Sequence, residues 1–220
     1  MRTLTFSLFL FAAASLHAQD WSIRVASGHF LFGDFVERTL RIETETGSED
    51  QTTALSAATR AGLAVDLEKG FSDRFAVRLE GTFARAPLSI GGEDGDDGVE
   101  IDAGELDAFT LSLPLVFRIN PRGTFRFHLL AGPAYATYRI EAQGLQGPGI
   151  RVFRGTRNVW GLAAGGGASW NWSKRFAVEA QIVDVTTRSP FEDTELAAIG
   201  RTDFPRPHNL HTTLGIRIHF

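Results

Sequence analysis

Eight acidic residues stand between positions 93 and 107 with no basic residue among them: Glu93, Asp94, Asp96, Asp97, Glu100, Asp102, Glu105 and Asp107. Carboxylate oxygens at this density suit a hard divalent cation. Asp94 and Asp96 begin like a calcium loop, with Glu105 at its twelfth position. Gly98, however, occupies a ligand position, and Val99 stands where the turn needs glycine. An EF-hand is therefore excluded. A solvated acidic loop is the plain expectation, and a weak Ca²⁺ or Mg²⁺ site is its functional alternative. Arg151, Arg154 and Arg157 supply cations that meet those acids or hold phosphate groups. His29 and His208, with Asp34 and Asp203 close by in sequence, have the types for a histidine–acid pair. No motif fixes a serine beside them. The chain has no nucleophile elbow, phosphate loop or metalloprotease signature, so no catalytic residue and no cofactor is assigned.

A second set of charges carries its meaning in its spacing. Arg24, Arg60, Asp66, Glu68, Arg78, Glu80, Arg126, Glu179 and Arg217 each sit between apolar residues in a strict alternation. Strands position such residues, because successive side chains point to opposite faces. Leu63, Val65 and Leu67 oppose Asp66 and Glu68. Phe75, Val77, Leu79, Gly81 and Phe83 oppose Arg78 and Glu80. Leu210, Thr212, Leu214, Ile216, Ile218 and Phe220 oppose His211, Thr213, Gly215, Arg217 and His219. The same pattern marks strands around residues 21–25, 111–118, 125–129, 160–170 and 176–182, which makes eight. Three connections are tight and carry turn residues, at 69–74, 120–124 and 171–175. Four are long and aperiodic, at about 31–54, 86–106, 141–157 and 184–208.

Composition narrows the class. The 220 residues include no cysteine, which removes disulfides, thiolate metal sites and cysteine nucleophiles. The net charge of −4 argues against a nucleic-acid partner. Residues 1–18 read as a secretory signal peptide, with Arg2, the apolar stretch Phe6 to Ala14, and Ala18 before the cleavage point. Residues 19–220 then form one domain. No later apolar run approaches the ~18–20 residues of a membrane helix, so any crossing of a membrane is made by strands.

The placement of the aromatics decides which face meets lipid. Trp21, Phe75, Phe117, Phe125, Trp170, Phe176 and Phe220 lie at strand ends beside the short turns or the termini. Phe83, Phe109, Tyr135 and Trp160 lie near the long connections. Two such girdles, with short turns on one side and long loops on the other, are features of an up-and-down transmembrane barrel. The charged face then points inward. Eight strands leave room only for side chains or one small ligand, so paired, hydrogen-bonded charges that plug the lumen are expected, with a narrow conduction path as the alternative.

The chain resembles the small eight-stranded outer-membrane β-barrels, the OmpA/OmpX-like superfamily. The likeness rests on the signal followed by Gln19-Asp20-Trp21 and on the unit Phe71-Ser72-Asp73-Arg74-Phe75-Ala76-Val77-Arg78-Leu79-Glu80. It rests also on the echo Trp172-Ser173-Lys174-Arg175-Phe176-Ala177-Val178-Glu179 and on the closing Leu214-Gly215-Ile216-Arg217-Ile218-His219-Phe220. It covers the whole mature chain, and no periplasmic extension is expected after Phe220. The resemblance implies an all-β antiparallel barrel in the outer membrane of a Gram-negative bacterium, monomeric and non-catalytic. Its partners would be lipid, lipopolysaccharide and, through the terminal Phe220, the barrel assembly machinery. Envelope integrity, adhesion or surface recognition through the long loops are the expected roles. Relatives that modify lipid A acyl chains supply the enzymatic alternative, in which a rim histidine would act.

Overall fold

The computed structural model describes residues 21–44, 47–92, 101–142, 146–147, 150–151, 155–190, 201–203 and 205–220. The expected signal peptide and the acidic positions Glu93, Asp94, Asp96, Asp97 and Glu100 lie outside these residues. Eight strands form the wall: β1 (Trp21–Phe32), β2 (Arg60–Gly70), β3 (Phe75–Gly92), β4 (Ile101–Ser112, resuming as Leu115–Arg118), β5 (Phe125–Ala142), β6 (Gly155–Asn171), β7 (Phe176–Thr187) and β8 (His208–His219). Each pairs antiparallel with its sequence neighbour, and β1 pairs with β8 from Ser22 opposite His219 to Phe32 opposite Asn209. The sheet therefore closes on itself and leaves no free edge around the ring.

Leu113-Pro114 divides β4, because proline has no N–H to donate to the ladder. The gap is bridged by backbone bonds from Leu113 N–H to the Pro133 carbonyl and from Arg78 N–H to the Pro114 carbonyl, both 3.0 Å. The repeated sequence unit is a repeated turn. Ser72 Oγ accepts from the N–H groups of Arg74 and Phe75, and Ser173 Oγ accepts from those of Arg175 and Phe176, so both chains reverse by the same serine turn.

Outward positions along the lower part of the wall are apolar, among them Val25, Val65, Leu79, Leu111, Leu129, Ile182, Leu214 and Ile216, all exposed. Two aromatic girdles bound this band. At the short-turn end Phe75 meets Phe117 at 5.3 Å, and Phe125, Trp170, Trp172 and Phe176 form a chain of rings 6.1–6.3 Å apart. At the other end Tyr135 meets Trp160 at 5.0 Å, and Phe83 lies opposite Phe109. From position 160 to position 170 the strand covers about 33 Å, or roughly 25 Å of height at a tilt near 40°, the height of a transmembrane apolar band.

Beyond the upper girdle the polarity of the two faces exchanges. The outward face becomes charged: Arg85 pairs with Asp107 at 2.6 Å and Arg139 with Glu141 at 2.7 Å. The inward face becomes apolar, and Phe35, Ala57, Ala86, Leu88, Leu106, Ala108, Ala136, Tyr138 and Ile140 pack as a buried core. This exchange accounts for a departure from expectation. The ends of the connections at 86–106 and 141–157 are strand, since β3 runs to Gly92, β4 starts at Ile101, β5 runs to Ala142 and β6 starts at Gly155. The connection at 31–54 contains a hairpin of strands Val36–Thr44 and Gly47–Ala57, whose Thr53–Ala57 stretch extends the sheet along Leu88–Gly92 of β3.

Candidate functional site

The lower lumen holds a closed set of ion pairs. Arg24 from β1 bonds Asp66 of β2, reaches Glu80 of β3 at 3.2 Å and donates to Thr213 Oγ1 of β8 at 3.2 Å. Arg78 from β3 holds Glu68 of β2 through Nη2 at 2.6 Å, Glu179 of β7 at 3.2 Å, and the side-chain carbonyl of Gln181. Arg217 from β8 donates to both oxygens of Glu179 at 2.7 and 3.0 Å, to Asp66 at 2.9 Å and to Ser22 Oγ at 2.9 Å. Arg118 from β4 caps the set on Glu68 at 2.6 Å, and Gln181 Nε2 donates to Glu80 at 2.8 Å. The strands put these groups together because inward positions alternate with outward ones and the register sets Arg24 opposite both Asp66 and Arg217.

The arrangement is balanced. Four guanidiniums, from Arg24, Arg78, Arg118 and Arg217, face four carboxylates, from Asp66, Glu68, Glu80 and Glu179. All except Arg118 are buried, Arg24 completely. A buried ion remains charged only where partners replace its water, and the bidentate Arg217–Glu179 pair is the strong geometry for that. Ala76, Val116, Leu130, Ala134, Ala163, Val183 and Val185 fill the remaining section of the barrel on the β3 to β7 side.

Two residues expected in the charge set stand elsewhere. Arg60 has inward parity but sits at the upper mouth, exposed, and makes no ion pair among the described residues. Its place is above Phe30, whose ring fills the lumen beneath it. Arg126 is at the lower mouth, where Nε donates to the Gly123 carbonyl at 3.3 Å. Conversely, Arg118, Gln181, Thr213 and Ser22 complete the set although they are not among the residues expected in it. Arg118 shares the period-2 parity of the expected members. The three neutral residues carry no charge signal.

The rim histidines also part company with expectation. His208 Nδ1 lies 2.7 Å from Asp184, with Thr186 Oγ1 at 3.3 Å from the same nitrogen. Among the described residues its acid is therefore Asp184 rather than Asp34. The side chain of Asp203 lies outside the described residues, and Asp34 is exposed. His29 faces outward opposite Thr212, while His211 turns inward and packs on the Phe30 ring at 4.4 Å. Of the acidic segment, Asp102 belongs to β4 but its side chain is outside the described residues, and Asp107 is engaged by Arg85. Above the girdle, the hydrogen bond and charge of Arg85 hold the Asp107 carboxyl below the usual aspartate range. Phe220 follows β8, its N–H donating to the Trp21 carbonyl at 2.9 Å.

No protein-family model matches this sequence, and no curated protein matches it. Solved structures do match its shape. The outer membrane protein OprG from Pseudomonas aeruginosa superposes with a TM-score of 0.57 at 12% identity, over 93% of this chain and 97% of that one. Neisserial surface protein A gives 0.53 at 8% identity over 91% and 97%. The outer membrane protein AlkL gives 0.50 at 13% identity over 92% and 90%. At these identities the likeness speaks to fold, and it agrees with the closed ring, the girdles and the apolar band. The chain has the antiparallel eight-stranded fold of the small outer-membrane β-barrels.

Proposed function

We propose that this chain is a non-catalytic protein of the bacterial outer membrane. Its lumen is closed by the ion-pair set, and its extended upper strands and loops form the contact surface. The observation that carries this reading is the balanced, mutually satisfied set of Arg24, Arg78, Arg118 and Arg217 with Asp66, Glu68, Glu80 and Glu179. Opening a water path through it would break several charge-assisted bonds at once. The apolar core above adds a second closure. Envelope integrity, adhesion and surface recognition are the roles this architecture serves. Reconstitution in planar bilayers should give at most small, infrequent conductance, and large steady channels would contradict the closed lumen.

The enzymatic alternative has one observation in its favour, the His208–Asp184 pair. A nucleophile belongs on the imidazole nitrogen opposite the acid, and Thr186 instead shares the nitrogen that faces Asp184. Purified protein incubated with lipid A should therefore leave its acyl chains unchanged, whereas a new acylation product would assign the rim a catalytic role. The terminal Phe220 serves assembly in this reading, and deleting it should lower membrane insertion while leaving secretion intact.

A further inference from the structure

β6 and β7 separate at the upper edge of the wall. Their pairing ends with Gly161 opposite Thr187, while β6 continues to Gly155 and pairs there with β5 alone. A groove of about 610 Å³ opens on the outer surface at this fork, between Asn158–Leu162 of β6, the end of β7 and Arg206. Its floor is apolar. Trp160 and Leu162 are 70% and 67% exposed, above the other large apolar residues within the eight strands. Its upper margin is cationic. Arg188 follows β7 directly, and Arg206 lies between Pro205 and Pro207, a segment tied to β7 by the bond from Thr187 N–H to the Pro207 carbonyl at 3.2 Å. Both arginines line the groove, both are exposed, and neither makes an ion pair among the described residues. This separates them from Arg85 and Arg139 on the same rim, whose charges are met by Asp107 and Glu141.

The vertical order of these groups defines a ligand. Trp160 belongs to the upper girdle, so the apolar floor reaches into the lipid band while Arg188 and Arg206 stand at headgroup level. The geometry points to a binding site for a phosphorylated amphiphile. Its phosphate is held by Arg188 and Arg206 and its acyl chain lies along Trp160 and Leu162. Guanidinium forks match phosphate oxygens, and the groove volume falls within the ~300–1,000 Å³ of ligand sites. The occupant is a phosphorylated glycolipid of the leaflet around the long-loop end. This inference rests on the outer-membrane reading above and adds to it a defined lipid site.

The test uses the full mature chain, refolded in detergent and shown to be folded by heat-modifiable migration. Native mass spectrometry then compares retention of bis-phosphorylated lipid A with its dephosphorylated counterpart. The wild type should prefer the phosphorylated lipid by about tenfold or more, the factor that a charge-assisted hydrogen bond contributes. The R188Q/R206Q double variant should lose this preference while still folding, and R139Q should keep it. Leu162→Asn should weaken both lipids together. An unchanged preference in R188Q/R206Q would overturn the assignment. So would full displacement of the lipid by inorganic phosphate alone, which would identify a free-anion site. Failure of the wild type to fold in detergent or bilayers would instead contradict the membrane reading itself, so the two failures are distinguishable.

Discussion

Arg217 shows how much a single side chain carries in this barrel. Its guanidinium meets Glu179 twice, Asp66 and Ser22, and each partner comes from a different strand. Removing it leaves two buried carboxylates short of a counter-charge, which is more costly than the net worth of the pairs. Arg217→Ala should therefore lower unfolding stability by about 3–5 kcal/mol, measured by urea titration in micelles, while the outer apolar face still inserts. A loss within error would show that the set is not coupled through Arg217. At the rim, the Arg85–Asp107 pair makes a pH prediction of opposite location. Its contribution is present above the ordinary aspartate range and is lost as pH falls through the depressed value in the folded state. Arg85→Gln should move the Asp107 carboxyl titration upward in NMR, and an unmoved titration would deny the contact. The charges of the lower lumen are legible one by one from alternation, because a charged residue between two apolar ones on a strand has only one face to occupy. Arg60 shows the limit of that logic: parity gives a face but not a height, and its height puts it in water.

At the scale of strands, period and polarity are separate signals, and they agree with a single template only over the membrane band. Within the band the outward face is apolar. Above the girdle the same alternation continues with its sense reversed, as Arg85, Asp107 and Arg139 point out while Ala86, Leu106 and Ile140 point in. A template demanding one apolar face throughout breaks where that face changes solvent, so the upper strands read as loops in the sequence. Pro114 hides in the other direction, since a strand crosses it with backbone bonds supplied by Leu113 and to its own carbonyl. Glycine content in β6 acquires a reason at Gly167, where a Cβ would stand 2.7 Å from His128 Cε1 and 2.5 Å from the Ala180 carbonyl oxygen. Gly167→Ala should destabilise the barrel by about 1–3 kcal/mol through displacement of that ring and strand. An unaffected unfolding midpoint would mean the ring has room to move. On β8, Leu214 lies near the middle of the band and Ile216 nearer the lower girdle. Leu214→Arg should cost about 2–4 kcal/mol and Ile216→Arg less, in bilayer folding titrations. The reverse order would place the band at a different height.

For the whole molecule, one claim supports the rest: the apolar surface is the outside of the ring and faces lipid, and the charged surface is the inside. Ring closure through β1 and β8 gives the sheet an inside and an outside, and the two girdles and the balanced lumen agree with this assignment of the faces. The absence of cysteine makes the test clean, since every introduced thiol is the single one in the chain. Cysteines at Leu79, Leu113 and Leu214 sample the outer band, and cysteines at Ser112 and Ser169 sample the inward face without removing a member of the ion-pair set. Spin labels at these sites in lipid bilayers should divide into two classes. The three outer labels should relax with lipid-soluble oxygen, and the two inner labels should not. Oxygen access at Ser112 and Ser169, with water-soluble relaxant reaching Leu79, Leu113 and Leu214, would invert the barrel and contradict the account.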